Sequence, residues 1–156
     1  MNILIVEDDE NKREQIGRFV FDRYPQASVN YANSQQSGLR AIINNTMDLI
    51  ILDMSMPTFD KTEDEDGGRP QAYAGREILK QMDRREIHRP VIVLTGYDKF
   101  GEGVDALTLA ELRDQLEQAH PDSYRGMVFY DVAVEGWKEE LTKIISEIFA
   151  KSDDVQ

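Results

Sequence analysis

Cysteine is absent from the 156 residues. That removes disulfides, thiolate metal sites and cysteine nucleophiles, and it fits a reducing compartment. Positive charge is scarce: 18 lysines and arginines face 30 aspartates and glutamates, a formal net charge of −12. A surface so negative repels phosphate backbones and anionic headgroups, so direct nucleic-acid binding and membrane-surface binding are not expected. Long apolar runs are missing as well. Residues 1–6 form a short apolar run that meets Glu7, Asp8, Asp9 and Glu10 at once, whereas a secretory leader has basic residues and then a longer apolar stretch. Nothing approaches the roughly 20 residues of a membrane span. The expectation is a cytoplasmic protein with one core, since about 100 to 200 residues is a usual domain size.

What the chain does have is alternation. Short runs of β-branched residues and leucine at 2–6, 28–31, 49–52, 91–94 and 127–130 read as strands, and three of them are almost wholly apolar (Ile3 to Val6, Leu49 to Leu52, Val91 to Leu94). Strands apolar on both faces must be covered on both faces. Helical spacing lies between them: Ile16, Phe19 and Val20; Leu39, Ile42 and Ile43; Ile78, Leu79 and Met82; a weaker stretch at 104–119; and Trp137, Leu141, Ile144, Ile145 and Ile148. The order is (βα)5, an α/β fold with a doubly wound parallel sheet, whose functional crevice lies at the carboxyl ends of the strands.

Two loops exceed the usual 2 to 6 or so residues of such units. One, about 58–74, carries Asp60, Glu63, Asp64, Glu65 and Asp66 before Gly67-Gly68, a composition expected to be solvated or mobile. The other runs from Tyr97 around the fourth helix to Arg125. A single domain over 1–151 is expected, with 152–156 as a frayed, disordered tail.

Glu7 and Asp8 follow the first strand and Asp53 follows the third, so their carboxylates should converge at one sheet edge. Such a cluster persists only if its pKa values rise or a hard cation binds, and oxygen ligands with room for water suit Mg2+. Thr95 would bring a hydroxyl to the same rim. A carboxylate nucleophile, a cation and a hydroxyl suit phosphoryl transfer through an aspartyl phosphate.

Val6-Glu7-Asp8-Asp9, Leu52-Asp53-Met54-Ser55-Met56-Pro57 and Pro90-Val91-Ile92-Val93-Leu94-Thr95-Gly96, in that order and at strand ends, resemble the receiver domains of two-component response regulators. The resemblance spans roughly residues 2–149. It implies a flavodoxin-like sheet of order 2-1-3-4-5, Asp53 as phosphoacceptor, Mg2+ held by Glu7, Asp8, Asp53 and the Ser55 backbone carbonyl, and Thr95 as the switch hydroxyl. It also implies a histidine kinase or phosphotransfer protein as donor, a domain that catalyses only its own modification and loss of the phosphoryl group, and a downstream protein target. The oligomeric state stays open, a homodimer included.

Three departures stand out. The lysine that follows the fifth strand in the family has no counterpart, because residues 127–137 contain none and Tyr130 or Asp131 stands in its neighbourhood. Lys138, in the last helix, would have to reach back. The acidic insertion follows Pro57 directly, and the region around the fourth helix is lengthened. No effector segment is expected, so output should come from protein contact. A phosphorylation-independent pseudo-receiver is the alternative, and a Mg2+-dependent phosphohydrolase built on the same carboxylates is a third reading.

Bland roles compete at single residues. Acids also cap strand ends and helix starts. Phe129 and Tyr130 read as packing, His88 and His120 as loop residues, Trp137 as core or rim, and the acidic run as a solvated loop without the ordered ligand spacing of a calcium site.

Overall fold

Ile3, Leu4, Ile5 and Val6 are buried to the last atom, and Leu49 to Leu52 and Val91 to Leu94 are at most 1% exposed. They form the middle of a sheet covered on both sides. The computed structural model describes residues 1–63 and 67–153. In chain order the elements are β1 (Asn2–Val6), α1 (Glu10–Arg23), β2 (Ser28–Ala32), α2 (Gln35–Asn44), β3 (Leu49–Leu52), α3 (Ala74–Arg84), β4 (Val91–Thr95), β5 (Lys99–Phe100), β6 (Leu107–Thr108), α4 (Leu109–Ala119), β7 (Tyr124–Phe129) and α5 (Gly136–Asp153), with a 3-10 turn at Gly103–Asp105. The main sheet has the order β2-β1-β3-β4-β7 with every pairing parallel. Counting only its own strands, that is the 2-1-3-4-5 winding of a flavodoxin-like fold.

Strand alternation sends side chains to two cores. Leu4, Val6, Ile50, Leu52 and Val93 pack with Ile42 of α2, Ile78, Leu79 and Met82 of α3, and Leu112 and Leu116 of α4. Ile3, Ile5, Ile51, Ile92 and Leu94 pack with Ile16, Phe19 and Val20 of α1 and Trp137, Leu141 and Ile145 of α5. Burying each such side chain contributes roughly 1.5–3 kcal/mol before entropy is counted.

The structure differs from the sequence reading in four places. The last strand of the main sheet is Tyr124–Phe129 rather than 127–130, and its pairing with β4 shifts register between Val91 and Ile92. Arg125 and Gly126 interrupt the apolar run, and Gly126 lets α5 close in, since a Cβ there would meet Ile144 Cδ1 at 3.0 Å. The fourth helix begins at Leu109, not near 104, because Thr108 and Glu111 form a reciprocal capping box. The residues before it make the antiparallel pair β5–β6. His120 lies just past α4, as its C-cap, but is buried rather than solvent-facing and sets Nδ1 2.6 Å from Asp83 Oδ2 at the end of α3.

The acidic insertion is pinned where it is described. Gln71 N–H donates to Met56 O at 2.8 Å, Phe59 N–H to Gly67 O at 3.4 Å, and Ser37 Oγ to Asp60 Oδ1 at 2.8 Å, while Gly67 is buried. Residues 64–66 of the acidic run, and 154–156 of the expected tail, lie outside the described residues; 152–153 belong to α5.

Candidate functional site

The register of the sheet sets the site. Val6 pairs with Leu52, so β1 and β3 end side by side, and Asp53 N–H donates to Val6 O at 3.0 Å. The residues that follow are Glu7, Asp8 and Asp53, and one carboxylate oxygen from each lies within 4.8 Å of the others. Glu7 and Asp53 are 2% and 5% exposed, and Asp8 is half-buried. Asp53 Oδ1 is fixed by the N–H of Met54 at 2.7 Å, and Glu7 Oε1 accepts from Asp9 N–H at 3.3 Å.

A residue that sequence reasoning missed completes the cluster. Asp9 caps α1, its Oδ1 accepting from the N–H of Lys12 at 2.9 Å, which places Lys12 in the first turn beside the strand ends. Lys12 Nζ lies 2.8 Å from Leu94 O, 3.0 Å from Glu7 Oε2 and 3.3 Å from Asp53 Oδ2, with the Tyr130 ring centroid at 5.6 Å. The signal was there to be read: Lys12 is four residues before Ile16, on the stripe that α1 buries with Gly17, Phe19 and Val20. Lys138 is elsewhere, 3.0 Å from Glu135 Oε1 and largely outside the core.

Electrostatics follow from crowding. Burial, then the charge of Asp53, pushes the Glu7 carboxyl up to about 9 against the pull of Lys12. Asp8 also rises, through burial and then Asp53. Burial alone would lower the Lys12 ammonium, but the carboxylates of Asp53 and Glu7 overcome it and raise it. Both groups thus hold protons more firmly than they would in water, Glu7 through burial and the charge of Asp53, Lys12 through its two carboxylate neighbours.

The cluster opens on a cleft of about 620 Å3 whose walls include Asp9, Ser55, Pro70, Gly96, Tyr97 and Tyr130. Among the described residues that line it, five carry acids (Glu7, Asp8, Asp9, Asp53, Asp131) and Lys12 is the one base. Ser55 lines the cleft. Thr95 is in β4 but fully buried, its Oγ1 accepting from Tyr97 N–H at 3.2 Å, and the wall there is made by Gly96 and Tyr97. Tyr130 packs 5.1 Å from Trp137, which in turn lies 5.6 Å from Phe19, whereas Phe129 is 41% exposed.

Three carboxylates beside an open cleft that admits water offer the oxygen donors a hard divalent cation demands, and Glu7 Oε2, buried without a hydrogen-bond partner, meets only the charge of Lys12. No helix among the described residues is long and apolar enough to cross a membrane.

Comparison with known proteins bears on the family and the fold. The profile of the response regulator receiver domain matches residues 3–117. The Detocs response regulatory protein DtcB of Enterobacter cloacae (strain JD6301) is 27% identical over 150 residues, 95% of this chain and 100% of that protein. The uncharacterized protein y4jR of Sinorhizobium fredii is 30% identical over 140 residues, 88% of this chain and 92% of its own. Among solved structures, a receiver domain protein of Clostridium thermocellum superposes with a TM-score of 0.63 at 21% identity, covering 99% of this chain and 98% of that one. The response regulator TrrA of Thermotoga maritima, solved with Mg2+ and BeF, gives 0.60 at 20% identity, covering 92% and 97%. At these identities the two structures speak for the fold.

Proposed function

The chain belongs to the response regulator receiver family, and from that premise we propose that it accepts a phosphoryl group on Asp53 and signals through a changed protein contact. One observation carries the reading. Two adjacent strands deliver three carboxylates to one cleft, with oxygens within 4.8 Å, and two of them, Glu7 and Asp53, are paired with a buried ammonium.

Glu7, Asp8, Asp53 and the Ser55 carbonyl would hold Mg2+, which supplies charge neutralisation at the phosphoryl oxygens. An Asp53 oxygen bonds to phosphorus as the bond from phosphorus to the donor's nitrogen or oxygen breaks. The electron pair departs with the donor, which then takes a proton from water. Water attack on the acyl phosphate later returns the carboxylate and inorganic phosphate. Met54 N–H, at 2.7 Å from Asp53 Oδ1, holds the nucleophile in place. The donor is a histidine kinase or phosphotransfer protein. Thr95 acts as the switch hydroxyl by giving up its bond to the Tyr97 amide, so that modification moves the 97–108 segment and alters the face offered to a downstream protein. The strongly acidic surface favours protein over nucleic acid as the target.

The test is intact mass after incubation with a small-molecule phosphodonor, with and without Mg2+, for the wild type and Asp53→Asn. One phosphoryl group on the wild type alone, dependent on Mg2+, is the expected result. Equal uptake by Asp53→Asn refutes the assignment. A phosphorylation-independent binding module has one observation in its favour, the buried Thr95 hydroxyl already satisfied by Tyr97. It gains if the wild type neither takes up phosphoryl nor binds beryllofluoride, a stable mimic.

A further inference from the structure

The family's strand-end lysine is missing, yet Asp53 is not without a cation. Lys12 is 8% exposed. Its Nζ is held by Leu94 O at 2.8 Å and by Glu7 Oε2 at 3.0 Å, both nearer than Asp53 Oδ2 at 3.3 Å. Three oxygens surround the ammonium, one from each of the strand ends of β1, β3 and β4: Leu94 O accepts a hydrogen bond from it, and the Glu7 and Asp53 carboxylates pair with it by charge. Two of these anchors survive any change at Asp53. The third is the carboxylate where a phosphoryl group would be built.

We propose that Lys12, on the first turn of α1, is the phosphoryl-binding lysine of this protein: its ammonium holds Asp53 before transfer and pairs with the phosphoryl oxygens after it. The proposal rests on the reading of Asp53 as phosphoacceptor. The geometry favours it over a purely structural counter-ion for three reasons. Lys12 touches the reacting carboxylate itself, with Asp8 in the same three-carboxylate group left unpaired by it. It lines the cleft that a donor must enter, where the remaining charged side chains among the described residues are acids. It is also held from behind by a backbone carbonyl, which fixes its place whatever the charge in front. The incoming phosphoryl group brings negative charge into an acidic cleft, and a pre-positioned ammonium offsets that repulsion without reorganisation.

An ammonium in that place has opposite effects on two ligands. It repels a divalent cation and attracts a phosphoryl group. In Lys12→Met, calorimetric titration should show Mg2+ alone binding about three- to fivefold more tightly, the loss of a neighbouring like charge in a solvated cleft being worth about 0.6–1 kcal/mol. Beryllofluoride, titrated at saturating Mg2+, should bind about tenfold or more weakly, as expected for loss of a charge-assisted hydrogen bond. Phosphoryl uptake should slow in parallel. Beryllofluoride affinity unchanged in the folded variant overturns the inference, and a loss of both affinities marks a structural role and overturns it too. Should Lys12→Met not fold, the wild type with lysine labelled at Cε and Nζ serves. The Lys12 resonance is expected to shift on beryllofluoride addition beyond any shift caused by Mg2+, and its failure to do so while neighbours of Asp53 shift overturns the inference. If the wild type takes up neither phosphoryl nor beryllofluoride, the Asp53 reading fails and this inference with it. If the wild type binds and Lys12→Met binds equally, the inference alone fails.

Discussion

Gly75 stands directly against Asp53: a Cβ at position 75 would come within 2.6 Å of the Asp53 carbonyl oxygen, and Gly75 N–H donates to Met54 O at 2.9 Å. The start of α3 is thereby fastened to the backbone that presents the acidic cluster. This close approach, rather than any unusual backbone angle, is why glycine occupies the position.

Gly75→Ala should force α3 and the Asp53 turn apart. Because the atom it meets is backbone, relief needs a shift of a whole element, and a cost of about 1–3 kcal/mol is expected. The urea midpoint measures it. Phosphoryl uptake at Asp53 should fall as well, since the carboxylate is aimed by that same turn. A variant as stable and as reactive as the wild type would show that the turn can yield freely.

Much of this arrangement was legible in the residues themselves. A strand that must be buried on both faces is apolar throughout, so Ile3 to Val6, Leu49 to Leu52 and Val91 to Leu94 announce themselves, and the carboxylates next to them inherit their position. The cluster of Glu7, Asp8 and Asp53 follows from that alone. Lys12 was not found because a lysine on an amphipathic helix is ordinarily solvated, and only its spacing from Ile16 betrays that it lies on the buried stripe. Strands of two residues, such as Lys99–Phe100 and Leu107–Thr108, carry no period, so the β5–β6 pair left no trace. The start of α4, by contrast, was written in Thr108 and Glu111 and could have been read. The burial of His120 was hidden because Pro121 marks a loop there and its partner Asp83 is remote in sequence.

Thr108→Ala removes the side-chain half of that capping box and should cost about 1 kcal/mol. The loss should appear as faster amide exchange in the first turn of α4. Thr108→Ser, which keeps the hydroxyl, should be close to neutral, which separates the cap from the methyl group's packing.

Tyr73 ties the lengthened region to α3. Its hydroxyl lies 2.9 Å from Phe100 O and 2.6 Å from Asp105 O, and Arg76 stacks 4.0 Å above its ring. Tyr73→Phe keeps the ring and removes the tether, at a cost of about 0.5–1.5 kcal/mol. Hydrogen exchange should accelerate over 99–108 while Mg2+ affinity stays at the wild-type value. Slowed or unchanged exchange there would mean that the β5–β6 pair holds itself.

Glu7 supplies the pH dependence. Its carboxyl is raised from 4.5 to about 9 in the folded chain, by burial first and by Asp53 second. An acid with a raised folded pKa binds its proton more tightly when folded, so its stabilising contribution is complete below about 4.5 and is lost as pH rises toward about 9. Between pH 7 and 9, where ordinary carboxylates are already ionised, the metal-free protein should lose stability with a slope of up to about 1.4 kcal/mol per pH unit. Glu7→Gln, which cannot ionise, should flatten that slope, and its unfolding midpoint should overtake the wild type at the alkaline end. Mg2+ works against the same proton. Its affinity should rise with pH over this window, by up to about tenfold per unit if one proton leaves on binding, and calorimetry in buffers of different ionisation enthalpy should count that proton. A stability profile of the wild type that is flat from 7 to 9 and identical to that of Glu7→Gln would mean that the carboxylate is already ionised at neutral pH, with Lys12 alone sufficient to hold its charge.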